Sequence, residues 1–151
     1  MLQLRIKTPF RARIGSLGVI GFRKGLYLYV GSAKRGYSRV RRHLSKEKKL
    51  RWHIDYLTIR SDVEVEKVYL VEVEEDVGEN NIVSLLIKEG APVTIKGFGS
   101  SDDKFSQTHL LGPFKSEEEI NRIILRLIDG LKKPIVELSP RAFCSADKDL
   151  V

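Results

Sequence analysis

Residues 25–44, GLYLYVGSAKRGYSRVRRHL, bring two tyrosines, a glycine turn and a basic helix close together. Leu26, Leu28 and Val30 alternate with Tyr27 and Tyr29, so on a strand the phenols project from one face, open for chemistry, while the aliphatic side chains enter a core. Gly31 and Ser32 end that strand and Gly36 marks a loop. The helix that follows stacks Arg39 and His43 on one side at i, i+4, with Val40 and Leu44 turned inward. A phenol, a guanidinium and an imidazole are groups that can act on a phosphodiester. Cutting such a bond takes a nucleophile, a group that accepts its proton, and positive charge where the pentavalent phosphorus turns negative. Arg39 is placed to clamp a phosphate bidentately, and the surrounding cations are expected to lower a tyrosine from its usual pKa of about 10.

This strand, turn and helix resemble the second half of the signature of GIY-YIG nucleases, in which YIG closes a strand and an Arg and a His follow on the next helix. Tyr29, Val30 and Gly31 stand for YIG, with Arg39 and His43 in the helix positions. The strings RWHIDYL (51–57) and GFGSSDDKFSQTHL (97–110) are similar to those of a branch of the family found alone or attached to DNA glycosylases, which extends the resemblance over roughly residues 11–114. The chain departs from the family in its first motif, a Gly-Ile-Tyr on the preceding strand. Tyr27 is too close to Tyr29 to occupy a separate strand, and Leu2–Ile6 holds no tyrosine. Either Tyr27 or Tyr37 takes over that phenol's work, or the work is lost.

The resemblance implies a set of roles: a tyrosine phenolate that activates water, an arginine on the phosphate and a glutamate that holds one Mg²⁺ or Mn²⁺ ion. Tyr29 and Arg39 fill the first two by motif, Tyr27 is a candidate for the replacement phenol, and His43 is a phosphate donor or proton relay. Glu79 opens the helix after a long strand, where the family glutamate is found, and Val83 and Leu86 at i+4 and i+7 set it beside a buried face. It reads either as a hard-metal ligand or as a first-turn glutamate satisfying the helix dipole in solvent. One carboxylate makes a thin site, so substrate phosphates must complete the metal's shell. Trp52 reads as a base-stacking platform or, more readily, as a core residue. His53 and Asp55 border the site. Asp102 and His109 read as a structural pair before a catalytic one. Where the branch carries cysteine after the Ser-Asp pair, this chain has Asp103, which removes any thiol or zinc role there.

The 151 residues fit one domain with a real hydrophobic core. The single Cys144 excludes an intrachain disulfide, and no apolar run has membrane length, so a cytoplasmic protein away from membranes is expected. Of the formal net charge of +7, residues 34–51 carry +8: nine cations, Lys34, Arg35, Arg39, Arg41, Arg42 and Lys46 among them, stand against Glu47 alone. Such a segment is the footprint expected for a nucleic-acid backbone. Nucleic acid, DNA before RNA, is the expected partner, and the resemblance adds a DNA repair protein.

These residues require a small α+β fold: a mostly antiparallel central sheet flanked by helices. Leu2–Ile6, Ala12–Ile20 and Lys24–Val30 are expected strands, forming an antiparallel meander. Trp52–Ile59 is expected as a short helix and Glu64–Glu74 as a long, central strand. Glu79–Glu89 and Glu117–Leu131 are expected helices, the second capped by Ser116 with Glu119 as its capping-box partner. The domain spans 1–133, and 134–151 is a tail that docks through Ile135, Val136 and Leu138 or frays. Two functions remain open: a divalent-metal-dependent endonuclease, or a noncatalytic nucleic-acid-binding or repair-accessory module that has lost the first-motif tyrosine.

Overall fold

Apolar alternation in Leu2–Ile6 and Gly25–Tyr29 pairs these segments antiparallel, with Leu2 opposite Tyr29 and Ile6 opposite Gly25. A computed structural model describes residues 1–33, 36–100 and 107–143. In chain order the elements are β1 (Leu2–Ile6), β2 (Phe10–Arg13), β3 (Val19–Phe22), β4 (Gly25–Tyr29), α1 (Ser38–Leu44), α2 (Asp55–Thr58), β5 (Val63–Val71), α3 (Glu79–Lys88), β6 (Leu110–Phe114), α4 (Glu117–Leu131) and β7 (Ile135–Leu138). The fold is α+β. Its central sheet has the order β6-β4-β1-β5-β7 with every neighbouring pair antiparallel. β5 is interior, as its length implies, but β1 holds the middle.

Both faces of this sheet are covered. On one face Leu26, Leu28 and Leu111 meet Ile82, Val83 and Leu86 of α3 and Ile120, Ile123 and Leu127 of α4. On the other, Leu4, Tyr27 and Tyr29 meet Phe22, Val40, Ile54, Leu57 and Phe98. Strand alternation therefore sorts side chains between two cores and leaves no open face of tyrosines. Leu4, Leu28 and Ile120 are fully buried, and each such side chain contributes about 1.5–3 kcal/mol. Helix α4 starts where its cap requires: Ser116 Oγ accepts the Glu119 N–H at 3.3 Å, and Glu119 Oε2 accepts the Lys115 N–H at 2.7 Å.

The expected meander is interrupted. Residues 12–20 turn back at Gly15 (φ +48°) and Gly18 (φ +80°), so β2 and β3 close on each other as a separate two-stranded ribbon. The expected helix at 52–59 is confined to Asp55–Thr58. The segment at 135–138 docks: β7 adds an edge strand beside β5, with Val71 opposite Ile135. Among the described residues no helix is long and apolar enough to cross a membrane.

Candidate functional site

Leu2 pairs with Tyr29 on one side and Val68 on the other, so β1 begins where β4 and β5 end. A cleft of about 850 Å³ opens at this end of the sheet, and Tyr29, Arg39, His43 and Glu79 all line it, with Tyr37 and Ser32. The strand end, the i, i+4 helix face and the first turn of α3 thus converge as their positions in the sequence imply. Tyr27 does not join them. It is 1% exposed, packed in the core on the Tyr29 face of the sheet, and its Oη donates to the Arg23 carbonyl at 2.7 Å. Tyr27 therefore cannot replace the missing phenol, because that face is covered over Tyr27 and opens only at the end of β4. Two further phenols line the cleft: Tyr37, 53% exposed, and Tyr69, buried with its Oη donating to Gln3 Oε1 at 3.0 Å. β1 offers Leu2, not a tyrosine, opposite Tyr29.

Glycines hold Tyr29 in place. A Cβ on Gly31 would lie 3.0 Å from Tyr29 Cε2; one on Gly99, where φ is +71°, would lie 3.4 Å from Tyr29 Cε1 and 3.3 Å from His109 Cβ. Phe98 meets the tyrosine ring edge-on at 6.4 Å and His43 does so at 5.9 Å. Phe98 and Gly99 were not among the candidates, although the paired glycines of GFGS signal close backbone approach. Burial pushes the Tyr29 phenol up to about 12, aided by the Glu79 and Asp55 carboxylates and opposed by Arg39. This overturns the expected lowering by nearby cations. At neutral pH Tyr29 is a hydroxyl donor rather than a phenolate.

Arg39 is half-buried; its Nη1 donates to the Ser32 carbonyl at 3.3 Å and its guanidinium lies 4.9 Å from the Trp52 ring centre. His43 is 6% exposed, and its Nδ1 has no hydrogen-bond partner among the described residues. Burial, then Lys48, with smaller contributions from Arg42 and Arg39 and against the pull of Asp55, lowers its pKa to about 4. His43 is therefore neutral at pH 7. Because the folded value lies below the ordinary 6.5, the imidazole favours the native state fully above pH 6.5 and this is lost as pH falls toward 4. The loss amounts to about 3 kcal/mol. Thermal melts between pH 7 and 4 are expected to show a steeper loss for the wild type than for His43→Gln; parallel losses would contradict the assignment.

The family model described as Domain of unknown function DUF123 matches residues 1–133. The chain belongs to the DUF123 family. No curated protein and no solved structure matches it. The matched region contains every cleft-lining candidate, while β7, paired to β5, lies beyond it.

In this DUF123 domain Arg42 and Lys48 of the basic segment face inward, while Lys46, Lys49 and Arg51 are exposed. Asp55, fully buried, accepts Arg42 Nη1 at 2.8 Å, Arg42 Nη2 at 2.9 Å, and the backbone N–H groups of Arg51 and Trp52 at 2.8 and 2.9 Å. Lys48 Nζ lies 3.9 Å from the same carboxylate and donates to the carbonyls of Arg42 and His43 and to Thr58 Oγ1. Lys46 Nζ donates to the carbonyls of Arg60 and Val63 at 2.6 and 2.7 Å. Arg42, expected to face nucleic acid, is thus committed to internal acceptors, while Lys46 stays exposed with its ammonium on two backbone carbonyls. Helix periodicity sends Arg42 outward from α1, but α2 packs there; Lys46, expected on the same helix, lies beyond its end at Leu44. Asp55 is correspondingly the post that joins α1 to α2 and does not border the cleft. Arg41 is half-buried on the same helix.

Trp52 is half-buried and joins the core, the more favoured of its two readings. Three guanidinium groups crowd its ring, Arg42 at 4.3 Å, Arg39 at 4.9 Å and Arg51 at 5.4 Å, so it orients cations instead of offering a bare stacking face. His53 Nδ1 accepts the Gly99 N–H at 2.8 Å, and burial lowers its pKa, which keeps it in the neutral form this bond requires. His109 donates its backbone N–H to Phe98 and accepts the Val30 N–H, tying the glycine loop to the end of β4. Both histidines set the backbone behind Tyr29. Lys34, Arg35 and Asp102 lie outside the described residues. Among the described residues no three His, Cys, Asp or Glu side chains form a group able to hold a metal ion, although Glu72, Glu74 and Glu75 line the cleft with Glu79.

Proposed function

We propose that this DUF123 domain binds nucleic acid and grips a backbone phosphate in the cleft at the end of the central sheet. The observation that carries this reading is the convergence of Arg39, Tyr29 and His43 on that cleft, which Glu72, Glu74, Glu75 and Glu79 also line, in a chain of net charge +7. Arg39, fixed against Ser32 and Trp52, presents a guanidinium fork to the phosphate oxygens. Tyr29 donates its hydroxyl, and the buried His43 Nδ1 is a further polar group on the same wall. The resemblance to GIY-YIG nucleases supports the reading, and its glycosylase-linked branch favours DNA over RNA and a repair protein as partner. The cytoplasm is the compartment we assign.

Hydrolysis is the second reading, favoured by Glu79 in the same cleft as Arg39 and Tyr29. The resemblance to GIY-YIG nucleases implies one Mg²⁺ or Mn²⁺ ion. The residues present do not by themselves make a site for it; Glu79 supplies one oxygen ligand, so any such ion binds together with substrate phosphate and water. The raised Tyr29 pKa and the core position of Tyr27 favour binding over cutting. Purified protein incubated with labelled branched, nicked and single-stranded DNA, in Mn²⁺ or in EDTA, separates the two. Complexes without products are expected under the binding reading, and products in Mn²⁺ alone would establish hydrolysis. Neither complexes nor products at low salt would refute both.

A further inference from the structure

Residues 1–46 contain twelve Lys and Arg and no Asp or Glu, so the positive charge begins well before the 34–51 segment. Four of these cations, Arg11, Arg13, Arg23 and Lys24, sit on the β2–β3 ribbon or at its exit. The ribbon is amphipathic across its two faces. Phe22 is buried in the core, and Phe10, Ala12 and Ile20 pack against it, while Arg11, Arg13 and Val19 are exposed on the outer face. Register sets Arg11 opposite Gly21 and Arg13 opposite Val19, so neither guanidinium has a carboxylate across the strand. Arg23 and Lys24 follow, both exposed.

An ordinary solvated face mixes its charges. β5 does so, pairing Glu66 with Arg5 and Glu64 with Lys7, and next to the ribbon Arg60 is paired with Asp62. Among the described residues, Arg11, Arg13, Arg23 and Lys24 have no carboxylate at ion-pair distance. The ribbon also abuts the basic helical unit. The Arg60 guanidinium lies 3.6 Å from the Phe10 ring centre, and Gly15 lies against His53 and Tyr56. Both the ribbon and the α1–α2 unit form the outer layer on the Tyr29 face of the sheet.

We propose that the outer face of the β2–β3 ribbon is a second nucleic-acid contact, which takes the backbone of a duplex whose nearer phosphate lies in the cleft. The proposal rests on the cleft reading above and extends it to duplex substrates. A two-stranded ribbon has the width that a duplex major groove admits, and unpaired arginines on its outer face meet phosphates on either side. Four cations without acids among them leave nothing to repel that backbone.

The test compares two ligands, a 20-base-pair DNA duplex and a single-stranded tetranucleotide, by fluorescence anisotropy over a range of salt. Arg11→Glu with Arg13→Glu is expected to weaken duplex binding by about tenfold or more and to reduce the salt slope by about 2, while tetranucleotide binding is unchanged. Arg11→Lys with Arg13→Lys is expected to retain duplex affinity, since backbone contact needs charge and not a fork. Wild-type duplex affinity and slope in the glutamate variant would overturn the ribbon and leave the cleft reading standing; equal losses for both ligands would also overturn it. Normal duplex binding by Arg39→Ala together with loss in the glutamate variant would refute the cleft reading and keep the ribbon. If the glutamate variant melts well below the wild type, Arg23→Gln with Lys24→Gln, at the exposed end of the ribbon, is scored by the same criteria.

Discussion

Arg39→Ala is expected to weaken nucleic-acid binding in EDTA by about 10- to 100-fold, the range for one lost charge-assisted, bidentate hydrogen-bonded contact. Arg39 is held by the Ser32 carbonyl and the Trp52 ring, so little side-chain freedom is lost when phosphate binds. Arg39→Lys keeps the charge without the fork and should fall between alanine and wild type. Glu79→Gln should act in the opposite direction on binding. It removes a negative charge from the cleft that would face phosphate, so metal-free affinity should be equal or tighter, while any Mn²⁺-dependent cleavage should disappear. Unchanged affinity in Arg39→Ala would contradict the assigned role.

Asp55→Ala is expected to destabilise the domain by about 3–5 kcal/mol, a large part of the total stability of a chain this size. Its carboxylate is fully buried and accepts both Arg42 Nη atoms and two backbone N–H groups. Without it, Lys48, whose side chain is 5% exposed and whose pKa burial already lowers to about 8, loses its counter-charge. The α1–α2 unit should then loosen, and with it the position of Arg39. Urea denaturation measures this directly; a loss below about 1 kcal/mol would show that the network tolerates removal of its central anion.

Local periodicity and end signals made the long elements legible. α4 follows from its apolar stripe and Ser116 cap, and Tyr29, Arg39, His43 and Glu79 reach one cleft because a strand end, an i, i+4 helix face and a helix first turn have definite directions. What escaped the sequence depends on the partner element. Tyr27 obeys the same alternation as Tyr29, but the layer carrying Phe22 and Phe98 covers that face and leaves only the end of β4 open. Arg42 points outward from α1, and only the placement of α2 turns it into an internal donor. Gly15 and Gly18 marked bends within residues 12–20, yet strand propensity there did not reveal a hairpin separate from the central sheet. Phe98 and Gly99 reach Tyr29 from far along the chain, a contact no local pattern encodes.

Trp52 is the only tryptophan of the chain, lies within cation–π distance of Arg39, and meets the His43 ring at 5.8 Å. Its fluorescence therefore reports on the cleft wall without a label. Titration of the wild type with a tetranucleotide in EDTA is the most direct test of a phosphate seated at Arg39. A saturable change in Trp52 emission, suppressed by salt and absent from Arg39→Ala, is the expected result. Tetranucleotide binding that leaves Trp52 emission unaltered and persists in Arg39→Ala would place the ligand elsewhere and contradict the account.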